Sequence, residues 1–125
     1  MIKQFAGATI WSENVNNLLP FYRDVLGLKV LDESPEAGFA LLGADTLDQP
    51  ALGLGTHSEI HGSNPDPHRH MVGFESDDVR ADWKRLKDAG VEFIEDPTEY
   101  GEMMMIATLK DPEGNLVQLF EARAG

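Results

Sequence analysis

The feature that most constrains this chain is that it repeats itself. Asn14 and Gly27 bracket an apolar-periodic stretch, Val15 to Leu26, and Asp77 and Gly90 bracket a second of like length, Asp78 to Ala89. The offset from Asn14 to Asp77 is 63 residues, about half of the 125-residue chain. A side-chain oxygen before such a stretch and a glycine after it are the ordinary start and stop of a helix, because the first satisfies an unpaired backbone N–H and the second tolerates the left-handed turn that ends the helix. In the first copy Val15, Leu18, Leu19, Tyr22, Val25 and Leu26 form the apolar stripe. Pro20 lies within it and should kink or loosen the first turns by removing a donor. In the second copy, whose cap is Asp77 or Asp78, the stripe is Val79, Trp83, Leu86 and Ala89, with Arg80, Lys84, Arg85 and Lys87 turned to water.

Strand-like runs surround both helices. The first copy offers Ala6–Ser12, Leu28–Leu31, Phe39–Leu42 and Ala51–Thr56; the second offers Met71–Glu75, Val91–Ile94, Met103–Leu109 and Leu116–Glu121. Asp111-Pro112-Glu113-Gly114 has the residues of a type I turn and joins the last two strands as a hairpin. The polar stretch from Ser58 to His68, with two prolines, reads as a linker. The prediction is an α+β chain of two tandem β-α-β-β-β modules, about 1–57 and 69–125, joined by linker 58–68.

Composition narrows the chemistry by exclusion. Zero cysteines remove disulfides, thiolate metal sites and a cysteine nucleophile. A formal charge of −12 argues against nucleic acid or an anionic membrane as partner and suits a cationic guest. No apolar run approaches the roughly 20 residues of a membrane span, and Met1-Ile2-Lys3-Gln4-Phe5 does not open a secretory signal. The expected location is the cytoplasm. No P-loop, dinucleotide fingerprint or Ser/His/Asp nucleophile pattern is present.

Two tandem modules of this kind, with Phe21-Tyr22-Arg23-Asp24-Val25-Leu26-Gly27-Leu28 in the first helix and Asp111-Pro112-Glu113-Gly114-Asn115-Leu116 before the last strand, resemble the vicinal oxygen chelate superfamily over essentially the whole chain. That superfamily includes glyoxalase I, extradiol dioxygenases, and fosfomycin- and bleomycin-resistance proteins. The resemblance implies two sheets curved into a cup, a homodimer, and, in metal-using members, four ligands from the first and last strands of each module. Counted onto this sequence, those positions are Gly7, a residue near Gly53 to Gly55, Met71 and Gln118. Two lack a side chain and one is a soft thioether, so neither metal nor other cofactor is expected. A rival arrangement slips the site onto His57, His70 and Glu75, with Gln118 as a further oxygen donor.

With the register implied by strand alternation, the cup is lined by Gly7, Thr9 and Trp11 from the first strand. Met71, Gly73 and Glu75 follow from the fifth, and Leu116, Gln118 and Phe120 from the last. Met104, Ile106 and Thr108 come from the seventh, with Tyr100 from the loop before it. Trp11 is the candidate stacking residue and Glu75 the candidate general base, if desolvated. Met103-Met104-Met105 spans both strand faces and reads as filler. The expected function is metal-free binding of a small, cationic or aromatic molecule by Thr9, Trp11, Met71, Met104, Tyr100, Gln118 and Phe120. The alternatives are a metal-dependent lyase or dioxygenase, and a metal-free isomerase or hydrolase using Glu75.

Overall fold

A computed structural model describes residues 1–122 and divides the chain into two compact units, Met1–Gly62 and Ser63–Gly125. Each unit is one four-stranded mixed sheet with helical structure on a single face. In the first unit β1 (Gly7–Ser12), β2 (Val30–Ser34), β3 (Phe39–Leu42) and β4 (Ala51–Thr56) lie in the order β1-β4-β3-β2. In the second, β5 (Val72–Glu75), β6 (Phe93–Tyr100), β7 (Met104–Lys110) and β8 (Leu116–Ala122) repeat it as β5-β8-β7-β6. The first strand of each sheet runs parallel to the last, and the other pairings are antiparallel. The fold is therefore α+β, as the repeat implies. Among the described residues no helix is long and apolar enough to cross a membrane.

The second unit's helix, α1 (Val79–Asp88), begins where Asp78 accepts the Ala81 N–H at 3.0 Å and ends before Gly90, whose φ is +92°. Val79 and Leu86 are buried with Met105, Ala107, Leu109, Val117 and Leu119. Each of the valine, leucine and methionine side chains among these contributes roughly 1.5–3 kcal/mol by leaving water. Trp83 is only half-buried: its indole donates to Asp96 Oδ1 at 3.1 Å, and the Lys87 ammonium lies 4.7 Å from its ring centre. Ala89, expected in the buried stripe, is the exposed cap residue.

The first unit's single helix does not form. Asn14 caps as expected, accepting the Asn16 N–H at 2.9 Å, but only a 3-10 turn, Val15–Asn17, follows, and a π-helical turn, Phe21–Val25, comes after it. Pro20 lies between them with no N–H to give, and the wider turn lets Leu26 N–H reach the Phe21 carbonyl at 2.9 Å. The apolar stripe survives the break: Val15, Leu18, Leu19 and Tyr22 are buried with Ala40, Leu42, Leu52 and Leu54.

The repeat extends to the caps. Buried Ser12 accepts the Asn14 N–H at 3.0 Å, and buried Ser76 accepts the Asp78 N–H at 3.2 Å. The N–H after each cap reaches the last strand of its own sheet, Val15 to Thr56 Oγ1 at 2.9 Å and Val79 to Glu121 Oε1 at 2.8 Å. A side chain from the last strand thus completes each helix start, which fixes the helix to the sheet's buried face and leaves the opposite face open.

Candidate functional site

With helical structure confined to one face, the other is open to solvent and is the candidate site. In the first sheet the register aligns Thr9 with Gly53 and Leu41, and Trp11 with Gly55 and Phe39. Residues that share a row share a face, and Trp11, at 49% exposed, stands on the open one. The two glycines make room for their neighbours: a Cβ at Gly55 would lie 2.4 Å from Trp11 Cζ3, and one at Gly53 would lie 2.8 Å from Thr9 Oγ1. The indole therefore occupies the space over a bare stretch of β4. Its edge meets the His57 imidazole, ring centres 5.6 Å apart and 77° between planes. His57 Nδ1 accepts the Glu59 N–H at 3.1 Å.

The second sheet repeats the device in mirror order. Phe120 on β8 covers Gly73 on β5, where a Cβ would be 2.4 Å from Phe120 Cε2. Its open face has two aligned rows: Gly73, Gln118, Thr108 and Glu95 in one, Glu75, Phe120, Ile106 and Thr98 in the next. Met104 pairs with Tyr100 beyond them. Alternation thus holds for Thr9, Trp11, Gly73, Glu75, Met104, Ile106, Thr108, Gln118 and Phe120, each on the face away from its helix. Glu75 is exposed there, Leu116 is buried at the strand's start, and Met71 precedes β5.

One residue of the open face, Glu95, is not among those the sequence points to. The strand expected to end at Ile94 runs on to Tyr100, through Pro97. Proline is tolerated because β6 is an edge strand and the register shifts there: Glu95 pairs with Thr108 but Thr98 pairs with Ile106, one extra residue in addition to the one between Glu95 and Phe93, which pairs with Leu109. Glu95 and Tyr100, five apart, would face opposite ways on a regular strand. The shift after Phe93 brings Glu95 to the open face and the one at Asp96–Pro97 brings Tyr100 there too, where the Tyr100 hydroxyl donates to Glu95 Oε2 and Thr108 Oγ1 lies 3.4 Å from Glu95 Oε1. The hydrogen bond to Glu95, then burial and the carboxylate's charge, raise the Tyr100 pKa above its ordinary value. An X-Pro dipeptide next to a run of acids was the only signal in the sequence, and it reads first as a strand end.

The four superfamily ligand positions can be tested directly. At Gly7 the backbone is left-handed, φ +148°, and a Cβ would sit 2.2 Å from the Ala51 carbonyl oxygen, so no side chain of any kind fits. Gly53 and Gly55 lie under Thr9 and Trp11. What remains is the Met71 thioether and the Gln118 amide, a set that does not fit zinc, magnesium or manganese. Among the described residues no three His, Asp or Glu side chains are gathered so as to hold a metal ion.

Comparison with known proteins agrees with this architecture. A family model described as the Glyoxalase/Bleomycin resistance protein/Dioxygenase superfamily matches residues 4–119. Among similar solved structures is TnmS3, an antibiotic binding protein from Streptomyces sp. CB03234, at 21% identity and TM-score 0.74, with 98% of each chain covered. A glyoxalase/dioxygenase from Nostoc punctiforme is similar at 16% identity and TM-score 0.76, covering 98% of this chain and 92% of that one. A glyoxalase/bleomycin resistance protein/dioxygenase family enzyme from Burkholderia phytofirmans PsJN follows at 22% identity and TM-score 0.70, covering 96% and 100%.

Proposed function

Since the chain belongs to the Glyoxalase/Bleomycin resistance protein/Dioxygenase superfamily, we infer that it acts as a metal-free small-molecule binder, using the open sheet faces where metal-using members hold their ion. The observation that carries this reading is Gly7: a position that a ligating side chain would need is closed by the Ala51 carbonyl oxygen and by the positive φ of Gly7 itself. The open faces supply what a small-molecule site needs instead, exposed aromatic and apolar surface with a few convergent polar groups. Trp11 and Phe39 offer it in the first unit, and Phe120, Ile106, Met104, Tyr100 and Gln118 in the second. TnmS3, similar in fold, is named for binding an antibiotic rather than for a reaction. The protein works as a homodimer in the cytoplasm on this reading.

The test is metal content. Protein purified without chelator should carry substoichiometric metal, and chelator should leave its melting temperature unchanged. A screen of aromatic small molecules should raise that temperature and quench Trp11 fluorescence. Stoichiometric metal, lost with a fall in melting temperature, would replace this reading with the metal-dependent enzyme using His57, His70 and Glu75. Catalytic turnover of a bound compound that Glu75→Gln abolishes would instead favour an isomerase or hydrolase.

A further inference from the structure

We propose that the second sheet's open face carries a subsite for an organic cation with N–H donors, an ammonium or amidinium joined to an apolar body, in which Glu95 is the counter-charge. This rests on the small-molecule reading above and adds the ligand's chemistry to it.

The direction of the hydrogen bonds is what specifies the guest. Tyr100 gives its hydroxyl proton to one Glu95 oxygen, and Thr108 directs its own at the other. A hydroxyl that has spent its hydrogen presents only lone pairs to anything else. Glu95 itself accepts only, having two oxygens with about four lone-pair sites, of which these contacts use two. Gln118 stands next to Thr108 in the register and adds an amide oxygen. Three of the four groups are therefore left as pure acceptors, and the fourth can act as one. A donor-rich cation satisfies such a set; an anion finds a charge of its own sign.

Among the described residues no Lys, Arg or His side chain forms an ion pair with Glu95. Cations of the second unit pair elsewhere, Arg69 with Asp66, Arg85 with Asp82 and Lys110 with Glu92. Glu95 is half-buried and Thr108 is 4% exposed, so an ion pair formed there is less screened than one on the outer surface. Phe120 and Ile106, in the row beside Glu95 and Thr108, give the body of the ligand an apolar seat. The high hold on the Tyr100 proton keeps that hydroxyl a donor to Glu95 through the whole neutral range. Two register shifts make the arrangement: the one after Phe93 brings Glu95 opposite Thr108, and the one at Asp96–Pro97 keeps Tyr100 on the same side as Glu95.

Three probes of one shape separate the terms: benzylamine, which is a cation with N–H donors; benzyltrimethylammonium, a cation without them; and benzyl alcohol, which is neutral. Each is titrated into the isotope-labelled full chain, and backbone amide shifts are followed at Glu95, Tyr100, Thr108, Gln118 and Phe120. Benzylamine should bind there saturably and at least tenfold tighter than either control. Glu95→Gln should remove that tenfold preference and leave benzyl alcohol unchanged, which a merely structural Glu95 would not do. Equal affinity for benzylamine and benzyl alcohol would overturn the cation site and leave the small-molecule reading standing. Equal affinity for the two cations would overturn the acceptor set, leaving charge alone. If benzylamine shifts none of these residues the proposal is lost, and if no probe reaches either sheet's open face the parent reading is lost with it.

Discussion

Replacing single glycines by alanine tests the open-face geometry most directly, because three of them meet three different obstacles. At Gly55 a new Cβ would be 2.4 Å from Trp11 Cζ3 and 2.7 Å from Cε3. Carbon atoms rest at about 3.5–4.0 Å, so the ring must retreat by roughly 1.1 Å or more. It has somewhere to go, since Trp11 is 49% exposed. An off-rotamer shift of this kind costs about 0.5–1.5 kcal/mol, and the lost backbone freedom of glycine in the unfolded chain returns about 0.4–1 kcal/mol. The net destabilisation of Gly55→Ala is then about 1 kcal/mol or less. Gly73→Ala meets Phe120 at 2.4 Å, a half-buried ring on a central strand with less room to retreat, and should cost about 1–3 kcal/mol as overpacking does. Gly7→Ala meets the Ala51 carbonyl oxygen at 2.2 Å with φ at +148°. Neither backbone can step aside, and strain alone is about 1–3 kcal/mol before the clash is counted. Urea melts of the three variants should rank Gly55→Ala as mildest and Gly7→Ala as most severe. In Gly55→Ala the His57 ring protons should also shift, as the Trp11 ring beside them moves. A loss above about 3 kcal/mol in Gly55→Ala, or unmoved His57 resonances, would refute the picture of a displaceable indole over bare strand.

Two further outcomes follow from single contacts. Tyr100 has its pKa raised chiefly by its bond to Glu95, so the stabilisation is fully present below the ordinary tyrosine value near 10 and disappears as pH rises through the folded value. Ultraviolet titration, with Tyr100→Phe identifying the signal, should place the phenolate midpoint above that ordinary value and Glu95→Gln should lower it; a midpoint at or below the ordinary value in the parent protein removes the contact from the argument. Asp111, 5% exposed, accepts the Glu113 and Asn115 N–H groups and the Asn115 amide, each at 2.9 Å, and Asn115 holds Asn64 at 2.9 Å in turn. Asp111→Ala should destabilise by about 2–4 kcal/mol, since hydrogen bonds to a charged group contribute about 1.5–3 kcal/mol and neighbours do not add; a urea melt showing under about 1 kcal/mol would make this turn dispensable.

Much of this was legible in the residues. Caps, glycine stops and alternating strands act over a few neighbours, so Asn14, Asp78, Gly90 and the face assignments of Thr9, Trp11, Gln118 and Phe120 could be read off directly. What escaped depended on local rules being overridden. Pro20 did more than loosen a helix, because a sheet that buries Leu18, Leu19 and Tyr22 accepts any backbone that delivers them. Glu95 escapes because period two assumes an unbroken register, whereas the pairing shifts once between Phe93 and Glu95 and again between Glu95 and Thr98, and Pro97 reads as the end of the strand. Glu75, by contrast, was placed on the correct face but is exposed, and exposure is a property of surroundings that no pattern of alternation encodes.

The bulge at Asp96–Pro97 also says where this strand can change length. Glu95 and Tyr100 share a side although they are five apart, because one surplus position lies between them. A one-codon deletion at that position would leave them four apart on a regular strand, still on one side, with Thr98 opposite Ile106 and Tyr100 opposite Met104 as before. The same loss at Glu99, beyond the bulge, would turn Tyr100 to the helix side and take its hydroxyl from Glu95. One step along the edge strand therefore separates a deletion that the open face absorbs from one that rewrites what it presents to a guest.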